Sequence, residues 1–330
     1  MRAACGGTFL LRLQQNGGAF ACHGFQRREG SLLSPVWLGD ARGFLVDWLT
    51  QRWVQLTGRR VDLERDPWLD GPVGDPGGIG ADFFDRFAEA RGLRVRRGDP
   101  DAGLLPEFGS LAGPAFDPSE VDRRVGAFYE RTAAFDLDAW AEWCGLFRPF
   151  GRLLAWLFSR RLQQLNVPLS GLDTSRGMTS EIIQLVDPAT GVVRVTAWVR
   201  RLLGSGNVLY AGSYSFCRVP GFEGPCVRVV FPLPNGNAMV IMRPVAHTDG
   251  SFSVVSAGRR FGEPGFYFTV RSRGVVWARY LRALRESIRV YAAEDGGVRA
   301  DHALTLWGAT FLRLHYRLRA TAPVPAARAH

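Results

Sequence analysis

The sequence predicts an α+β protein: a helical, loop-rich N-terminal part packed on a C-terminal antiparallel meander of about ten strands, strongly curved or closed into a barrel-like sheet. Helical spacing of apolar residues dominates up to Pro168, and period-two alternation takes over from Glu181. The alternating segments are joined by short turn sequences such as "DPATG", "PNGN" and "EDGG". At 330 residues, 46% hydrophobic and 22% charged, the chain has a globular composition and enough length for a sizeable core.

In chain order, 1–40 reads as a poorly ordered segment, 41–168 as the helical and loop-rich cap region, 169–319 as the sheet domain and 320–330 as a disordered tail. "GGTFLLRL" is too short an apolar run for a secretory signal, and Arg12 interrupts it. Ala41–Arg60 is an amphipathic helix with Phe44, Leu45, Trp48, Leu49, Val54 and Leu56 on its apolar side. The glycine run Gly74–Phe84 follows no apolar strand, so it is a turn into a short helix near Ala81–Ala90. Ser119 and Asp122 have capping-box-like spacing before the next helix. Two more helices are expected over Leu137–Gly145 and Pro149–Leu165. In the last of these, Leu146, Phe150, Leu153, Leu154 and Leu157 share one face, while Arg148, Arg152, Trp156 and Arg160 lie on the polar side. Those charges exclude a spanning helix, which needs about twenty apolar residues. Packing on the core is the preferred reading, and a membrane or partner surface is the alternative.

Strands are expected at Glu181–Val186, Val192–Leu203, Val208–Val219, Cys226–Leu233, Ala238–Val245, Ser251–Ala257, Phe266–Arg271, Glu286–Ala292, Val298–Leu306 and Phe311–Leu318. Val275–Leu284, rich in Ala, Leu and Arg, reads as a short helix.

The net charge is +10, and all 41 basic residues are arginine. Without lysine there is no phosphate-loop lysine, Schiff base or pyridoxal anchor. From Gly191 onward 19 Arg stand against 7 acids, so the excess charge sits in the sheet. Nucleic acid is disfavoured as a partner, because no single-strand-binding motif accompanies the arginines. The five cysteines are odd in number and lack C-x-x-C spacing, which reads as a reduced, cytoplasmic protein, or one peripheral to a membrane. Cys217 and Cys226 flank a turn and are expected as core thiols.

The last hairpin carries the candidate site. A type II′ turn at Gly308-Ala309 would set His302 opposite His315, with His302, Arg313, His315 and Arg317 on one face. Either that face is solvated, or it lines a cavity. Arg194, Trp198 and Arg200 share a face of their strand, and Tyr210 and Tyr214 share one of the next. The favoured function is a non-catalytic binding protein for an apolar ligand with an acidic group, lipid- or fatty-acid-like, held by His302, Arg313, His315, Arg317, Arg194, Trp198, Tyr210 and Tyr214. The rival is a peripheral membrane-surface or protein-interaction module using the basic sheet and Arg148, Arg152, Trp156 and Arg160. A third reading is an enzyme with a site near Asp173, Ser175, Arg176 and Glu181 and His302/His315. No cofactor is expected, and no metal, since the histidines lack a third ligand. The order of a basic amphipathic helix, "WVRR" and a closing "W-G-x-x-F-L-R-L-H-Y-R" strand pair resembles bacterial domains of unknown function and implies no activity.

Overall fold

The computed structural model describes residues 44–76, 79–145, 147, 149, 177–204 and 206–321, which fall within one compact unit, Val36–His330. The helix expected over Pro149–Leu165 lies, beyond Pro149, outside the described residues, as do Arg148, Arg152, Trp156, Arg160, Asp173, Ser175 and Arg176. Three helices are described: α1 (Leu45–Thr57), α2 (Phe83–Arg91) and α3 (Arg123–Glu130). Asp122 is itself the N-cap of α3, its side chain accepting from the Arg124 amide, and Ser119 instead belongs to a 3-10 turn capped by Asp117.

The strands are β1 (Arg59–Val61), β2 (Arg94–Arg96), β3 (Phe135–Trp143), β4 (Met178–Val186), β5 (Val193–Leu202), β6 (Val208–Cys217), β7 (Cys226–Leu233), β8 (Gly236–Ala246), β9 (Phe252–Val255), β10 (Gly265–Ser272), β11 (Val275–Leu281), β12 (Leu284–Ala292), β13 (Val298–Leu306) and β14 (Ala309–Ala320). Two of them correct helical expectations. β3 replaces a helix because "FDLDAWAEW" alternates buried and exposed positions and pairs along its length with β14. β11 replaces another because it fills the gap between β10 and β1. In both, tertiary pairing outweighs helix propensity.

All fourteen strands form one antiparallel sheet, ordered β2-β4-β5-β6-β7-β8-β9-β12-β13-β14-β3. A branch, β10-β11-β1, leaves from β8. Along one edge β8 pairs first with β10 (Gly236–Ile241) and then with β9 (Arg243–Ala246), while β7 holds the other edge. Gly236 opens β8 beside β10, and a Cβ there would overlap the carbonyl of Thr269 on β10. The sheet is curled, but among the described residues no pairing joins β2 to β3. The expected closure into a barrel is therefore corrected to an open, curved sheet.

Three cores follow from the curl. The concave side holds a ring cluster plugged at one end by α3 and its flanking turns: Phe252, fully buried, meets Phe108, Phe116 and Tyr129 at centroid distances of 5.0, 5.4 and 5.4 Å. On the convex side, α2 packs Phe83, Phe84 and Ala88 against β4–β6. Trp68 and Leu69 do the same against β7, β8 and β10. Strands covered on both faces lose their alternation, which is why β5 and β8 are buried almost continuously while β3 alternates. Arg228 fastens the outer wrap, donating from Nη1 to the carbonyls of Pro67, Trp68 and Asp70.

Cys217 and Cys226 stand directly opposite each other across the β6–β7 pair as free thiols. Burial pushes Cys217 up to about 11 and Cys226 higher still, so both are poor nucleophiles.

Phe252→Ala removes the hub of the ring cluster and is expected to cost about 3–5 kcal/mol. Trp307→Asn replaces an 82%-exposed side chain at a positive-φ turn position and is expected to be neutral or slightly stabilising. Urea unfolding of both variants against the parent checks the contrast.

Candidate functional site: an apolar cavity and an outward-facing helix

The inside of the curl is not filled. A cavity of about 330 Å³ is lined from β3, β5–β10 and β12–β14, so side chains from near both ends of the strand path meet around it. Its walls are mostly aliphatic and aromatic. One polar group of side chains interrupts them.

That group is built from strand register. Arg200 pairs directly with Tyr210 across β5–β6, and Trp198 pairs with Gly212. Because Gly212 has no Cβ, the Tyr210 ring folds over it, and its hydroxyl donates to the Tyr214 hydroxyl at 2.7 Å. The guanidinium carbon of Arg200 lies 3.4 Å from the Trp198 ring centroid, 5.1 Å from Tyr210 and 5.2 Å from Tyr316. On the far wall, β12 and β13 bring Glu286 diagonally beside His302, with Oε1 2.6 Å from Nε2. That contact is not aligned as a hydrogen bond. His302 Nδ1 lies 3.4 Å from the Tyr316 hydroxyl.

Arg200 is 6% exposed, and its Nε has no acceptor among the described residues. A buried, unsatisfied donor costs about 1–3 kcal/mol. Burial also pushes Tyr214 up to about 12, against the pull of Arg200, and raises Tyr210 and Tyr316.

The sequence-predicted residues divide. His302, Trp198, Tyr210 and Tyr214 line the cavity. Arg313, His315 and Arg317 do not. The turn of the last hairpin is formed by Trp307 and Gly308, both at positive φ, in place of the expected Gly308-Ala309. A bulge between Leu304 and Thr305 then sets His302 against Leu314 and Asp301 against His315. The shift of one residue turns β14 over, placing Leu312, Leu314 and Tyr316 inside and the basic residues outside. There they meet acids: His315 with Asp301 at 2.7 Å, Arg317 with Asp295 at 3.2 Å and Arg313 with Glu142 at 4.0 Å. Arg194 is exposed at the start of β5 and paired with Asp187 at 2.8 Å. Among the described residues no group of His, Cys, Asp and Glu could hold a metal. Sequence reasoning left Arg200, Glu286 and Tyr316 out of the site. Glu286 was findable as the sole acid between Pro264 and Ala293.

Helix α1 holds the second feature. Its inward residues are Asp47, Gln51 and Val54; Gln51 donates to the Pro234 carbonyl and accepts from Asn235 Nδ2. Its outward residues, one turn apart, are Leu45, Leu49, Trp53 and Leu56, the last 81% exposed. The amphipathic helix expected from the sequence is thus present with its apolar stripe turned outward and Val54 on the opposite side. Trp53 meets Phe268, a cavity-lining ring, at 6.1 Å, so the stripe adjoins the cavity wall. Between Trp48 and Val61 the chain carries Arg52, Arg59 and Arg60 and no acid. Arg279 reaches the same end of the helix, donating to the Thr57 carbonyl.

Over 242 residues, 73% of its length, the chain is 29% identical to the uncharacterized membrane protein YndJ of Bacillus subtilis (strain 168) and spans 41% of that relative. No family model matches the chain. No solved structure matches it either. The similarity to a membrane protein overturns the expectation of a soluble binding protein for a lipid-like acid, and the outward position of Arg313, His315 and Arg317 removes the basic cluster on which that expectation rested. No helix among the described residues is long and apolar enough to cross a membrane.

Burial raises all seven tyrosines above their ordinary value of about 10. The unfolded chain ionises near that value while the fold keeps its phenols neutral. The contribution of the tyrosines is therefore intact below about pH 10 and lost as the pH rises from there. Absorbance at 295 nm is expected to show little phenolate in the folded protein near pH 10, with release coinciding with loss of the near-ultraviolet circular dichroism signal.

Proposed function

We propose that this chain is the surface-docking sheet domain of a membrane-associated protein, which meets an anionic lipid surface through the outer stripe of α1. The observation that carries the reading is the reversed polarity of α1: Leu45, Leu49, Trp53 and Leu56 outside, Asp47 and Gln51 inside. A helix that merely covered its own core would be turned the other way. The occupant follows from charge. Arg52, Arg59, Arg60 and Arg279 border the stripe, and apolar anchors flanked by arginine suit the headgroup boundary of an anionic bilayer. The 29% identity to a protein called a membrane protein supports the same reading.

The test is sedimentation with mixed phosphatidylcholine/phosphatidylglycerol vesicles. Each leucine buried on docking contributes about 1.5–3 kcal/mol. The double variant Leu49→Glu/Leu56→Glu is therefore expected to bind at least tenfold more weakly. Both side chains are exposed, so its urea midpoint stays close to that of the parent. High salt weakens the parent as well. A parent that ignores the vesicles, or a double variant that sediments like the parent, ends the proposal.

A further inference from the structure

We infer that the cavity inside the curled sheet is a binding site for a small apolar molecule bearing an uncharged hydrogen-bond acceptor, a carbonyl or a hydroxyl, which the Nε–H of Arg200 takes. This does not depend on the docking surface at α1, nor on the chain acting as a free carrier. The cavity volume of about 330 Å³ falls in the range of small-molecule sites, and so does the mixture of apolar wall and few polar groups. Trp140, 48% exposed and part of the lining, lies at the boundary between cavity and solvent.

The polar group decides the ligand chemistry. Arg200 is more than nine-tenths buried, lines the cavity and has one donor, Nε, with no acceptor among the described residues. Its guanidinium is held over Trp198 and beside Tyr210 and Tyr316, so the orphan donor is fixed in place. A ligand acceptor would satisfy it. The cavity lining already holds one carboxylate, Glu286, which lies beside His302, and His302 in turn adjoins Tyr316 next to Arg200. A ligand carboxylate would add a second anion beside Glu286 in a low-dielectric space, where like charges repel strongly. An uncharged acceptor avoids that repulsion and keeps the hydrogen bond.

Prodan, a neutral naphthalene dye with a ketone, is the probe. Its emission moves to the blue in an apolar site. Saturable binding to the full chain is expected, with 1-decanol displacing it at least tenfold more effectively than decanoate at pH 8. Arg200→Met should weaken prodan binding at least tenfold. Leu304→Trp, which fills the cavity from β13 and leaves the polar group intact, should abolish it. Circular dichroism of both variants shows whether they fold, and the Leu304→Trp result stands if Arg200→Met does not. Unsaturable dye binding, or unchanged binding to folded Arg200→Met, overturns the inference. So does decanoate competing as well as decanol. Vesicle sedimentation of Leu304→Trp should match the parent, so a failure here is separable from a failure of the docking surface.

Discussion

Strand β8 has more partners than one strand has edges, and the shape of the sheet follows from how it divides them. β7 holds one edge along most of the strand, while β10 and β9 take successive halves of the other. Two sheet directions therefore leave the same strand. One runs back through β7 to β2, and the other runs through β9 to β3. The right-handed twist of adjacent strands then brings the two directions around a common interior. Gly236 marks the place where the β10 backbone comes too close for any side chain.

A curl of this kind creates two unlike faces. The convex face is covered by short pieces of the N-terminal chain: α2 and the Trp68–Leu69 turn. Among the described residues the concave face is plugged at one end, by rings from α3 and the turns around it. The remaining space is the cavity. Arg200 is tolerable there because the rings of Trp198, Tyr210 and Tyr316 replace water around much of it. The replacement is incomplete at Nε, and that gap is the chemical character of the site.

Part of the arginine excess of the sheet is paired with acids within the molecule. Acids of the N-terminal half reach it at Arg271–Asp70, Arg319–Asp138 and Arg313–Glu142. Others pair within the sheet itself, as Arg289 does with Asp249. Exposed pairs of this sort contribute little each to stability. The basic residues bordering α1 differ in lying beside an exposed apolar stripe.

By itself, the sequence determined the α+β class, the onset of the meander near Glu181, the turns between most of its strands and the amphipathic pattern of α1. Those are local properties, set by side-chain period and turn chemistry over a few residues. Cavity residues Trp198, Tyr210 and Tyr214 were legible for the same reason, since alternation shows which side chains travel together. Only the tertiary structure decided that β3 and β11 are strands, because their partners lie far away in the chain. It also decided which side of α1 is dry. That depends on Pro234 and Asn235, distant residues that satisfy Gln51. The last hairpin shows the limit most sharply: one bulged residue exchanged the two faces of β14, sending Arg313, His315 and Arg317 outward and Tyr316 inward. Period-two patterns name two faces, and only pairing in three dimensions says which of them meets the interior.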